Sequence, residues 1–393
     1  ADAVDQLRAA YLSTVNGQPV TAIAEDPTAL RNNDFYRTAD GWVFLITTFP
    51  HQRDAVCIAL GCPPTKDRIA EAARTRGSVE LEDAVIAAGG VAAAVRTADE
   101  WATSPAGTDS LRRPVIDIDR IGDAEPEPLP ATGAWPPLSG VRVVDMTHVI
   151  AGPVSTKLLA TFGADVLHVS RPDLPDPAPM PALTGGGKRN AYCDVRDPDQ
   201  ARALADVVGS GDVFVNAYRG LDRHGFGAEQ LAARRPGIVV VEYHCWGADG
   251  PWGDRGGFDQ LACSATGFAL EEGHLRDDGV VAPALPPTHL LNDYLAAFLG
   301  AAGTVAALRR RQDTGGSWRV RVNLARVCTW VQSLGPSGVA TETDWGARVI
   351  DMTTVEGPLG RVVEPVIPIA FDDHPTPSPL PAHPLGTAPL AWW

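Results

Sequence analysis

Apolar and polar positions along the chain fall into two rhythms. From residue 138 to 335, short β-branched apolar runs alternate with longer amphipathic or Ala-rich stretches. Val141 to Met146 (VRVVDM) reads as a buried parallel strand. Ala151-Gly152-Pro153 opens a helix, with Pro153 suited to a first helical position, and Gly163 closes it. ADVLHVS (164–170) is the next strand. Further strands are predicted at AYCDV (191–195), DVFVNAY (212–218), IVVVEYHCWG (238–247) and WRVRVNL (318–324). Helices are predicted over 197–209, over FDQLACSATGFAL (258–270) and along the Ala-rich stretch that follows Thr288. Strand and helix in alternation predict a Rossmann-like, doubly wound parallel sheet.

Residues 1–110 have another rhythm and predict a small α+β domain. It opens with a helical segment (VDQLRAAYLSTV) and continues with two strand-like runs around Ala39-Asp40-Gly41, a hairpin signal. HQRDAVCIALG is a helix closed by Gly61, 67–98 are Ala-rich helical segments, and 99–110 form a loop and helix. Residues 111–137, rich in Pro and acids, read as an extended linker with one short strand, VIDID. Residues 336–393 hold a strand pair around Gly357-Pro358 and a Pro-rich tail, expected to lie over the surface or move freely.

Composition narrows the function classes. At 45% apolar and 21% charged, the 393 residues suit a globular chain of two or three domains. The net charge of −15 argues against general nucleic-acid binding, so a polyanionic ligand would need locally clustered cations. No apolar run approaches the ~20 residues of a membrane span, so no membrane role is expected. No leader segment is visible at Ala1. The six cysteines are scattered without a CxxC, which speaks against zinc or another metal and for a reducing, cytoplasmic location. There is no GxGxxG, so NAD is not indicated. Gly185-Gly186-Gly187-Lys188 is no P-loop, since Ala182 and Arg189 stand where a Gly and a Ser or Thr belong.

Several phrases recur in one order: D-x-T-H-V-x-A-G-P after the first strand, GKR before a strand, LDR-x-GFG, GPW-x-DR-x-GFD, and D-x-x-AAFLG. Together they resemble the class III CoA-transferases (the CaiB/BaiF type), which include formyl-CoA transferase and the α-methylacyl-CoA racemases. The small domain also resembles that family's, but precedes the large domain here instead of following it.

The resemblance implies a CoA-transferase that moves CoA between carboxylic acids, with acyl-CoA and a free acid as substrates. It places the catalytic carboxylate at Asp293, ahead of the Ala- and Gly-rich helix. A carboxylate is a weak nucleophile in water, and partial desolvation makes it more reactive. Read from the residues alone, Asp293 is equally a helix-start acid. For CoA, the resemblance points to His148, Val149 and Ala151 in the first β-α loop, and to Arg171 at the end of the second strand. Lys188, Arg189, Arg219 and Arg223 complete the predicted set, clustered by the sequence near strand ends. In the racemases a His stands where Phe258 stands here, and Phe258 cannot exchange a proton. His244 and His289 are the remaining candidate bases. The resemblance also implies a homodimer, with interlocking of the two chains allowed rather than required. Two rivals remain from the sequence: an acyl-CoA racemase or isomerase using another base, and a non-catalytic CoA-binding subunit.

Overall fold

The computed structural model describes residues 5–22, 30–130, 135–277, 279–335, 349–371, 374 and 377–392. After one helical turn, Ala9–Leu12, come strands β1 (Thr14–Val15) and β2 (Gln18–Pro19). Strands β3 (Asp34–Arg37) and β4 (Trp42–Leu45) form the hairpin expected around Asp40-Gly41. Helix Pro50–Leu60 follows and ends at Gly61 in the left-handed region, as its sequence required. The Ala-rich stretch is not helical throughout. Ala92–Ala94 form β5, which adds to β4. Gly89 and Gly90 end the preceding helical turn, and a Cβ at Gly90 would lie 2.7 Å from that of Ala55. Small side chains let this strand sit fully buried under its helices.

The segment expected to be a linker contributes β6 (Asp117–Gly122) to the large sheet. That sheet continues with β7 (Arg142–Met146), β8 (Asp165–Ser170), β9 (Lys188–Tyr192), β10 (Val213–Asn216) and β11 (Val239–His244). A small hairpin, β12 (His274–Leu275) with β13 (Val281–Ala282), precedes β14 (Ser317–Asn323). The order is β6-β14-β11-β10-β7-β8-β9, parallel except for β6 against β14. β7 and β8 are adjacent and parallel, with Val143 opposite Val166. The sheet winds outward in both directions from β7 and β10, so the topological switch point lies between their C-terminal ends.

Helix Leu291–Thr314 lies across the sheet and packs on helix Ala151–Thr161. Its small residues explain the closeness: a Cβ at Gly300 would meet the Tyr243 hydroxyl at 1.8 Å. At its far end the fully buried Arg311 pairs with Asp212 at 2.8 Å. Contrary to the sequence expectation about apolar runs, this helix is long and apolar enough to cross a bilayer, with mean hydropathy 1.3 over its best window. Here 56% of that window is buried inside the protein.

The chain ends come together. β15 (Met352–Gly357) and β16 (Gly360–Pro365) form the expected hairpin, and β16 pairs with β1. The tail is ordered where described. Ala388 N–H donates to Asn190 of edge strand β9, and Trp392 Nε1 donates to the Val207 carbonyl at 2.8 Å.

Candidate active site

A cavity of about 910 Å³ opens at the switch point, walled on one side by the small domain and on the other by the strand ends of the large sheet. This is where ligands of such sheets bind. The loop after β7 brings His148, Val149 and Ala151 to it. Val149 has φ of +65°, a genuine strain for a β-branched residue. Its N–H donates to Asp176 Oδ1 at 3.1 Å, which holds the strained loop in place. Gly152 is needed beside it, because a Cβ there would lie 2.4 Å from Thr147. His148 stacks on Tyr218 with centroids 4.8 Å apart, and burial pushes its pKa down.

Asp293 also lines the cavity and is only 7% exposed. It sits in the first turn of helix Leu291–Thr314, and its backbone N–H donates to Asp259 Oδ2 at 2.8 Å. Asp259 is fully buried at the start of helix Asp259–Ala265 and also accepts from Asn292 Nδ2 at 3.3 Å. Burial, then the Asp259 charge, raises the Asp293 carboxyl well above the ordinary range. Burial also raises Asp259, to about 6, although the N–H of Asp293 and the Cys263 and Asn292 side chains oppose the shift. Sequence reading passed over Asp259 as part of a motif; its spacing of 34 residues from Asp293 gave no sign of contact.

The predicted cations divide. Arg219 and Arg223 line the cavity mouth on the loop after β10. Arg219 donates to the Asp254 carbonyl, and Arg223 is exposed with no bonded partner among the described residues. Arg171 lies outside the cavity lining, bonded to Asp173 at 2.7 Å. Lys188 and Arg189 are corrected outright as ligand groups. Lys188 is 2% exposed and bonded to Asp145 at 2.9 Å and to the Pro153 carbonyl at 2.7 Å. Burial opposes charge on Asp145, but Lys188, His168 and Thr147 together hold it well below the usual carboxylate range. Arg189, the second residue of β9, is paired with Asp165 at the start of β8 at 2.8 Å and lies over Trp392. His244 lines the cavity 3.9 Å from Glu242, whereas His289 lies outside it, stacked on Tyr11. Among the described residues, no group of three or more His, Cys, Asp or Glu is placed to hold a metal ion.

Sequence comparison accounts for this arrangement: the model of CoA-transferase family III matches residues 3–126 and 138–341. The chain belongs to CoA-transferase family III. It is 34% identical over 216 residues to an acetyl-coenzyme A transferase from Hypoxylon pulicicidum, covering 53% of this chain and 36% of that protein. It is 29% identical over 217 residues to the succinyl-CoA–L-malate CoA-transferase alpha subunit of Chloroflexus aurantiacus, covering 51% of this chain and 50% of that one. A solved CaiB/BaiF family protein from Brucella suis aligns at 20% identity and a TM-score of 0.46, covering 58% of this chain and 65% of that one. The chain spans about half the length of the curated relatives it matches, or less. Family III membership agrees with the sequence resemblance, and the mostly parallel sheet with the predicted fold class.

Proposed function

We propose that this chain transfers CoA between carboxylic acids through Asp293. The observation that carries the reading is a buried carboxylate at the cavity wall whose ionisation is opposed by burial and by a second acid, Asp259. Such a group is poorly solvated when ionised and gains reactivity toward a thioester. The Asp293 carboxylate attacks the thioester carbonyl of acyl-CoA, giving an acyl–aspartyl anhydride and CoA thiolate. The thiolate then attacks the aspartyl carbonyl, releasing the first acid as a carboxylate and leaving an Asp293–CoA thioester. The acceptor carboxylate repeats the two steps in reverse, and Asp293 is regenerated. Arg219 and Arg223 at the mouth supply the positive charge that the phosphates of CoA need. Phe258 lines the cavity where the family's racemases carry a His, so proton exchange at the α-carbon is not supported. Six unpaired cysteines support a reducing, cytoplasmic setting, and we place the working form as a homodimer.

The test is Asp293→Asn. Asn keeps the shape and serves a helix start as well as Asp, but it cannot form the anhydride. Transfer of CoA from a panel of acyl-CoAs to labelled acids should fall by roughly three or more powers of ten, with CoA binding retained. Near-parental transfer by the variant would overturn the mechanism.

A further inference from the structure

The aromatic side chains of the cavity form a continuous wall. His51 stacks on Phe49 with centroids 5.9 Å apart, Phe49 meets His148 edge-on at 6.1 Å, and His148 meets Phe258 edge-on at 6.4 Å. Tyr218 backs His148. All five line the cavity. The wall runs from the small domain to Phe258, the residue before Asp259, whose carboxylate holds the Asp293 N–H. It therefore ends one residue from the carboxylate that holds the backbone of Asp293, and both Phe258 and Asp293 line the cavity.

The cavity's cations are arranged differently. Arg255 is committed to Glu82 and Asp83, Arg319 to Asp119 and Glu229, and Arg321 to Asp117, Asp119 and Asp249. Arg219 and Arg223 carry no carboxylate partner among the described residues, and both are exposed at the mouth. Burial pushes His51 and His148 down, so neither adds positive charge near neutral pH. Phosphates thus meet guanidinium groups that no described carboxylate holds, while the seat beside Asp293 offers rings and a second acid. A second carboxylate on the acyl chain would be desolvated there against the Asp259 carboxyl, which is costly. An apolar chain buries its surface against the rings at no such cost.

Resting on the transferase reading above, we propose that the transferred acyl group is an apolar monocarboxylate, best an arylacyl group, seated on the wall from Phe49 through His148 to Phe258. Dicarboxylic acyl groups are disfavoured by the same seat.

The experiment uses the full chain carrying Asp293→Asn, which binds without turnover, titrated calorimetrically with cinnamoyl-CoA, succinyl-CoA and CoA. Cinnamoyl-CoA should bind roughly tenfold or more tighter than succinyl-CoA. Adding Phe258→Ala should shrink that gap to about threefold or less while CoA alone binds as before. Phe258→Leu replaces it if the Ala variant does not fold, and should lose the preference for cinnamoyl-CoA over 4-methylpentanoyl-CoA. Equal or tighter binding of succinyl-CoA would overturn the proposal. So would a Phe258 variant that weakens CoA as much as cinnamoyl-CoA, since the wall would then serve the carrier rather than the acyl group. Transfer by the unsubstituted chain is followed separately. An apolar preference in binding with no transfer from any donor would remove the transferase reading alone.

Discussion

Asp293 and Asp259 are two acids in one buried corner, and each makes the other's ionisation harder. Asp293 was legible because an acid ahead of a run of Ala and Gly is unusual and matched a family phrase. Asp259 was not, because its importance lies in a bond across 34 residues that no local pattern carries. Arg171 is engaged by Asp173, two residues on, while its charge still acts on His51 of the cavity wall. The pair also sets a pH dependence. Both acids hold protons more tightly in the folded chain than in the unfolded one. Their contribution to stability is thus complete below the unfolded carboxylate pKa and is lost as pH rises through their folded values. Activity has the opposite sign, since only ionised Asp293 attacks. Transfer should rise with pH, with a midpoint above the ordinary carboxylate range. Asp259→Asn still accepts the Asp293 N–H through its amide oxygen but removes the repelling charge, so the midpoint of kcat/KM should move down. An unchanged or higher midpoint in the pH profile would contradict the coupling.

At the scale of elements, Lys188 shows why a charge predicted for a ligand can belong to the frame. It stands on β9, and its Nζ reaches Asp145 on β7 and the Pro153 carbonyl on helix Ala151–Thr161. Thr156 donates to the same carboxylate at 2.6 Å. One ammonium therefore ties three elements around the loop that carries His148 and Val149. Lys188→Met strands Asp145 without its counter-charge and should cost about 3–5 kcal/mol in denaturant unfolding. The folded variant should bind CoA nearly as the parent does. A large loss of CoA affinity at parental stability would restore Lys188 as a ligand. The parallel strands were legible because they are continuous β-branched runs between glycines. β5 was not, since three alanines carry no strand signature and only burial under helices selects that conformation. The strand pattern of β6 was visible, but not its partner, which lies some 200 residues away on β14.

At the scale of the molecule, the two ends of the chain are tied to the large sheet. β1 pairs with β16, and Glu364 of β16 bonds Lys157 of helix Ala151–Thr161 at 2.5 Å. The tail packs Trp392 under Arg142 and Arg189. The change of rhythm after residue 110 marks where the chain passes from the three-stranded sheet β3-β4-β5 to the large sheet. The closure of the ends was not, because paired strands of two residues leave almost no trace in sequence. The proposed homodimer predicts that sedimentation at micromolar concentration gives twice the chain mass of 41.5 kDa; a monomer would count against it. The central claim concerns covalent chemistry at one carboxyl, and mass spectrometry reads that directly. After brief incubation with an acyl-CoA donor and rapid acid quench, the peptide containing Asp293 should carry the mass of a CoA thioester, and the Asp293→Asn chain should carry none. Robust CoA transfer with no adduct on that peptide, or with the adduct on another residue, would contradict the account.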